Sequence, residues 1–375
     1  MLKLTVILLF TILCIQVCEA QVTGNTLSDN KLKTRLDSLV ERQATTFMHN
    51  GPRVGLSIGV IKDGHQYFYN YGSTEIGKVK LPTKNSVYEL ASITKTFASA
   101  LLAKAVLEKR VSLDDDIRLY LDGQYPNLAY KNKPIKLINL ANLTSGLPNW
   151  MPDKDLFSKA NPDSIPYILD AVHQNYTRAN LLNDLHQVRL DTIPGAVTRH
   201  CNTAAQLLGY IMERVYGAPM QTLVKIHSTK PLKMQNTSFL AKNKLPAKLV
   251  NGYDGKGRIM PFITWPDLQV AASLSSTTAD MLQYMVYQMD ENRPEVALSH
   301  QVTNGKPESG AIALNWKVNV AADTRKISHT GGSLGFSTYM VFYPDQKIGI
   351  ILLANEAYQT AQSELVSLAD KIISP

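Results

Sequence analysis

A serine and a lysine three residues apart, Ser92 and Lys95, stand at the head of an apolar run from Val87 to Leu102. On a helix that spacing puts both heads on one face, a single turn from each other. A hydroxyl is a weak nucleophile until a base takes its proton, and a neutral amine one turn away can do so. A helix start also offers free backbone N–H groups, which favour the negative charge that develops on oxygen in acyl transfer. Taken alone, the spacing has only two fixed positions, and a capping serine followed by a solvated lysine is its commoner source.

Two further stretches carry groups able to serve that chemistry. Pro194-Gly195-Ala-Val-Thr-Arg-His200-Cys201-Asn202 sets an imidazole and a carboxamide two residues apart, close enough to reach one cleft from an extended segment or a helix-start turn. Lys326-Ile-Ser-His329-Thr330-Gly331-Gly332 ends a strand pattern. Its glycines leave the strand edge bare, so that a substrate backbone can lie alongside and an N–H can face an oxyanion. Each has a plain structural account as a cap, a strand end or a turn. Cys201 lies between two polar positions and reads as packed.

The elements that must hold these groups follow from periodicity. Residues 28–49 show helical spacing, with Leu32, Leu36, Leu39 and Val40 on one side. Val54–Ile61 and Gln66–Tyr71 read as a hairpin about Lys62-Asp63-Gly64. The Ser92 helix continues to about Glu108, and Asp115 or Asp116 caps the next short helix rather than binding a metal. From about 117 to 300 the pattern is helical, broken at Leu143-Thr-Ser-Gly-Leu-Pro148, which Asn149 and Trp150 follow. Thr203–Val215 and Thr277–Met289 are its strongest helices. After 310 the period becomes two, with strands expected over Ala311–Val320, Arg325–His329, Ser337–Tyr343 and Ile348–Leu353, then a closing helix over Ala357–Ile373. The expected fold is α/β in the α+β sense: one antiparallel sheet built from both ends of the chain, flanked by helices. A sheet lobe (about 21–90 and 300–375) would carry an inserted helical lobe (about 91–299).

The 375 residues are 45% hydrophobic and 19% charged, enough for a sizeable core. Residues 1–20 read as a secretory signal: Lys3, an apolar stretch from Leu4 to Val17, and a small residue at Ala20. Cleavage there removes Cys14 and Cys18, leaves Cys201 without an intrachain partner, and leaves no membrane span. The net charge of +8 includes a local group, Lys225, Lys230 and Lys233, but no aromatic-interleaved basic stripe of the kind that binds nucleic acid.

Together the stretches Glu89-Leu-Ala-Ser92-Ile-Thr-Lys95, Leu113-Asp-Asp, Thr144-Ser-Gly-Leu-Pro148, Pro194-Gly195, Asn202 with Leu207-Leu-Gly209, His329-Thr-Gly-Gly332 and Leu352-Leu-Ala-Asn355 resemble the serine β-lactamase and penicillin-binding-protein superfamily. The branch most resembled is the class C β-lactamases with their D,D-peptidase and esterase relatives, and the likeness runs from Gly55 to Ile373. The resemblance implies a β-lactamase/transpeptidase-like fold over residues 21–375, with Ser92 as acyl-accepting nucleophile and Lys95 as its proton partner. The backbone N–H groups of Ser92 and Gly332 would form the oxyanion hole. Asn202, His329, Thr330 and Gly331 would bind substrate, with Trp150 as an apolar wall. No metal or organic cofactor is implied. The implied substrate is a small molecule or peptide, namely a β-lactam, a D-alanyl peptide or a small ester, with cell-wall peptidoglycan as a partner and a secreted or periplasmic location. A non-hydrolytic cell-wall or peptide-binding protein on the same fold is the alternative.

Two departures bear on that expectation. The family pattern has tyrosine where this chain has His200; an imidazole with a pKa of about 6.5 is mostly neutral at pH 7 and is still able to move a proton. It is shorter than a phenol, so a water would bridge the gap. Relatives often hold a substrate carboxylate with a basic side chain near the last helix, yet no Lys or Arg occurs from Ile348 to Asp370. Arg325, Lys326 and His329 are the nearest substitutes, and the gap shifts the expected substrate toward uncharged ends.

Overall fold

A computed structural model of the protein describes residues 26–152 and 159–373; the expected signal segment lies outside the described residues. Its framework is an eight-stranded sheet of β1 (Gly55–Lys62), β2 (His65–Gly72), β3 (Asn304–Lys306), β4 (Gly310–Ile312), β5 (Lys317–Ala321), β6 (Thr324–Gly332), β7 (Ser337–Tyr343) and β8 (Ile348–Ala354). Across the sheet the order is β2-β1-β8-β7-β6-β5-β4-β3, every neighbouring pair antiparallel. The two ends of the chain therefore meet inside one sheet, with Leu56 opposite Ala354.

Asp63 and Gly64 join β1 to β2 with φ of +53° and +74°, the two left-handed residues that a tight primed turn needs. The expected single strand over Ala311–Val320 is instead β4, a turn and β5. Asn315 makes the turn at φ +55°, which asparagine tolerates better than most side chains, and its amide donates to Ser99 Oγ at 2.8 Å. A period-two pattern cannot register that reversal, because apolar residues continue through it.

Helices cover both faces, so the central strands are apolar at consecutive positions rather than alternating. On one face, α1 (Arg35–His49, capped by Thr34) and α6 (Ala361–Ile373) bury Val40, Phe47, Leu365 and Leu368 against Ile58, Val60, Ile350 and Leu352. On the other lies α2 (Thr94–Leu107), covered nearly all round, which is why its sequence is apolar without a polar stripe. Phe97 of α2 stacks on Tyr284 with centroids 4.0 Å apart. The same layer holds α3 (Asn202–Tyr216), the single turn α4 (Gln269–Ala272) and α5 (Thr278–Gln288), which lies on β1 and β8 with Met281, Leu282 and Met285 fully buried. No helix among the described residues is long and apolar enough to cross a membrane.

Candidate active site

The chain enters the site through a two-residue strand, Tyr88–Glu89, paired with Ser275 and Ser276. Ala91 then takes φ +48°, and a single 3-10 turn, Ala91–Ile93, carries Ser92 just ahead of α2. Ser92 thus precedes the α-helix instead of opening it. A left-handed alanine costs about 1–2 kcal/mol. Thr94 stabilises the turn by donating to Ala91 O at 2.6 Å and accepting from Leu274 N–H at 3.2 Å.

One turn into α2, Lys95 is 1% exposed. Its Nζ donates to Ser92 Oγ (2.8 Å), Asn202 Oδ1 (2.9 Å) and Ala271 O (2.8 Å). Burial pushes its pKa from 10.5 down to about 7, partly opposed by the neighbouring Cys201 thiol. Two of those acceptors are carbonyl oxygens and must receive N–H. When the amine is neutral, its lone pair is therefore the group left for the serine proton.

The start of α3 supplies the next groups. Cys201 is buried and caps the helix, its Sγ accepting from Ala204 N–H at 3.2 Å, and burial raises its thiol pKa. Asn202 faces inward to Lys95. His200 stands at the cavity mouth, its Nδ1 3.1 Å from Asn149 Oδ1. Desolvation by the cavity wall, then the charge of Lys95, hold its pKa below the usual histidine range.

β6 forms the opposite wall. His329 Nδ1 donates to Thr330 O at 2.6 Å, and burial followed by Lys95 keeps this imidazole neutral as well. Gly331 is buried and does not line the cavity; a Cβ there would collide with Thr338 Oγ1 and Leu90 O. It is the spacer that lets β6 press against the Ser92 turn, while Thr338 Oγ1 donates to Leu90 O at 3.0 Å. Gly332 is exposed on the cavity side, facing the Gln362 amide.

Ser92, Trp150, His200, Asn202, His329, Thr330 and Gly332 line one cavity of about 380 Å³. Trp265, Leu169, Ile263, Leu268 and Leu334 complete an apolar wall, and among the described residues no Asp, Glu, Lys or Arg lines it. A second recess of about 290 Å³, lined by Lys95, Trp316, Lys317 and Tyr339 among others, meets the first at His200, His329 and Thr330. Of the side chains considered for a substrate carboxylate, Arg325 is paired with Glu291 at 3.0 Å, Lys326 lines the second recess but is paired with Asp370 at 2.5 Å, and His329 lies between the two recesses. A larger recess, about 650 Å³, is rimmed by Lys225, Lys230, Lys233 and Lys244 and contains neither Ser92 nor Lys95.

Besides the apolar wall residues other than Trp150, sequence reading missed three polar contributors. The Ala271 carbonyl is backbone and has no residue signature. Gln362 reaches the cavity only through the packing of α6. Asn149 had a weak signal, a polar residue directly after a Leu-Pro break.

An antiparallel sheet between helices, with a serine–amine pair at the head of a buried helix, is the β-lactamase/transpeptidase-like architecture. The beta-lactamase family profile matches residues 40–371, and the chain belongs to that family. Among curated relatives it is 26% identical over 337 residues to Protein flp of Staphylococcus aureus (strain MRSA252), matching 87% of this chain; it spans only 63% of that protein's length. It is 25% identical over 346 residues to the D-alanyl-D-alanine-carboxypeptidase/endopeptidase AmpH of Escherichia coli (strain K12), covering 85% of this chain and 84% of AmpH. A beta-lactamase/D-alanine carboxypeptidase from Pseudomonas syringae superposes with a TM-score of 0.75 at 21% identity, covering 91% of this chain and 99% of the other. Solved class C beta-lactamases are also structural neighbours.

Proposed function

We propose that the protein is a secreted or periplasmic serine hydrolase that acylates Ser92 with an ester or amide carbonyl bearing an apolar, uncharged acyl group. The observation that carries this reading is the Lys95 amine, buried, brought down to about 7 and 2.8 Å from Ser92 Oγ at the wall of an open cavity. Neutral Lys95 takes the Ser92 proton as Oγ attacks the carbonyl, and passes it to the leaving group as the bond to that group breaks. The backbone N–H groups of Ser92 and Gly332 receive the oxyanion. In the second half, neutral His200 takes a proton from water, the hydroxide displaces Ser92 Oγ from the acyl carbon, and the proton returns to Oγ. The shorter imidazole leaves room for that water.

The apolar wall of Trp150, Trp265 and Leu268 favours the acyl part, and the recess beyond His329 suits the leaving group. The lining by described residues is uncharged, which weighs against a substrate with a carboxylate on its acyl side. The names of AmpH and of the P. syringae structure support a D-alanyl peptide as the substrate to test first among amides.

Intact mass after exposure to a fluorophosphonate and, separately, to a labelled penicillin tests the reading, with Ser92→Ala as control. A fluorophosphonate adduct on wild type alone is the expected result. A long-lived penicilloyl adduct would favour a D,D-peptidase, and penicillin turnover a β-lactamase. No adduct with either reagent would favour a non-hydrolytic peptide or cell-wall binder.

A further inference from the structure

Asn149 Oδ1 has two neighbours: the Asn202 backbone N–H at 2.9 Å and His200 Nδ1 at 3.1 Å. A backbone N–H can only donate, so the side-chain atom it meets is the amide oxygen and not the NH₂. An oxygen can only accept, so His200 Nδ1 must carry a proton. A neutral imidazole has one such proton, and Nε2 is then bare.

We propose that Asn149 is a positioning residue that holds His200 as the Nδ1–H tautomer, leaving Nε2 as the proton acceptor in the cavity that Ser92 lines. This rests on the hydrolase reading above, in which His200 activates water. It is the arrangement by which a buried carboxylate orients a catalytic imidazole in serine hydrolases, here done by a neutral amide. Neutrality matters, because the amide fixes the tautomer without raising the proton affinity of the ring. The groups that act on His200 from neighbouring elements are Lys95 and His329, with Cys201 beside it in the chain. Arg199 is paired with Asp191 at 2.7 Å. Because Asn149 also accepts from the first N–H of α3, its removal has a structural side that must be separated.

Long-range ¹H–¹⁵N spectra of ¹⁵N-histidine-labelled protein read the tautomer directly, the His200 signals being assigned by their loss in His200→Gln. An Nδ1–H pattern in wild type, shifting toward Nε2–H in Asn149→Leu, is expected; an Nε2–H pattern in wild type overturns the proposal. In turnover, Asn149→Leu should lower kcat about tenfold with KM little changed, the size of a lost neutral hydrogen bond plus some misorientation. In a His200→Ala background the same change should cost nothing more. Additive losses would assign Asn149 to the helix start alone and overturn the inference. Asn149→Asp accepts both bonds, so it should keep the fold and the tautomer while moving the acid limb of deacylation, followed as loss of a preformed acyl-enzyme, to higher pH; an unmoved limb counts against the proposal. Absence of any Ser92 adduct would sink the hydrolase reading while the tautomer assignment stands, since that is read on resting protein. Full turnover by His200→Ala would leave the hydrolase reading standing and overturn the positioning role, since the imidazole that Asn149 orients would then do no work in turnover.

Discussion

If Ser92 is the nucleophile proposed above, the dependence of its acylation on pH follows from the burial of one amine. An ordinary lysine, with a pKa of 10.5, is neutral at pH 7 in about one molecule in 3,000, whereas Lys95 at about 7 is neutral in about half. The neutral base is thus enriched roughly a thousandfold by its site. The fluorophosphonate labelling rate should therefore rise about tenfold per pH unit below 7, with a midpoint near 7, and level off above it. His200 and His329 sit below the usual histidine range and stay neutral through that window, so neither supplies the midpoint. Lys95→Arg keeps a charge but never offers a lone pair, and labelling should fall at least about a thousandfold at every pH. The same burial appears in stability. The folded pKa lies below the unfolded one, so between about 7 and 10.5 the unfolded chain binds the extra proton and stability increases with pH. Relative to Lys95→Met, wild type should gain about 2–3 kcal/mol from pH 7 to pH 9 in denaturant unfolding. Labelling that is flat from about pH 5.5 to 8.5, or a Lys95→Arg protein labelled within tenfold of wild type, would refute the reasoning.

Gly331→Ala drives a methyl into Leu90 O and Thr338, so it should lower stability by about 3 kcal/mol or more and abolish labelling of Ser92. Gly332→Ala meets only the movable end of Gln362, and chemical denaturation should show a loss below about 1 kcal/mol. Trp150→Ala should flatten chain-length preference. Each methylene on an apolar wall contributes about 0.8 kcal/mol, so kcat/KM for butanoyl over acetyl esters, two methylenes apart, should drop about tenfold; an unchanged ratio would remove Trp150 from the acyl wall. Burial raises the Glu89 carboxyl to about 7, although Ser333 and the Ile263 N–H favour its ionised form. A raised folded pKa gives stability that is complete below about 4.5 and lost as pH climbs through 7. Glu89→Gln should therefore be more stable than wild type at pH 8, by at most about 3 kcal/mol, and nearly equal at pH 4.5.

The parts of the site that lie close in sequence were legible. Ser92 and Lys95, three apart, meet at 2.8 Å, and Asp63-Gly64 announced its hairpin. The apolar stretch of β8 and the helix from Asn202 were visible through their periods. What escaped depends on backbone or on long-range packing. The Ala271 carbonyl that holds Lys95 is common to all residue types. The left-handed Ala91 has no glycine to signal it, and the tight seat of Gly331 against Leu90 O and Thr338 is a long-range contact that a Thr-Gly-Gly sequence does not show. The β4–β5 reversal hid inside a continuous apolar run, with Asn315 as its only mark.

Closure of the sheet has a consequence for the life of the chain. β1 and β8 lie about 300 residues apart in sequence yet share a ladder, and β6 must seat on the Ser92 turn before that turn has its partner strand. Bringing together segments so distant is slow, since the entropy of the intervening loop is lost before any pairing rewards it. A half-synthesised copy therefore has its serine but no assembled pocket around it. On the proposed hydrolase reading, such a copy would be chemically silent until the final strands dock.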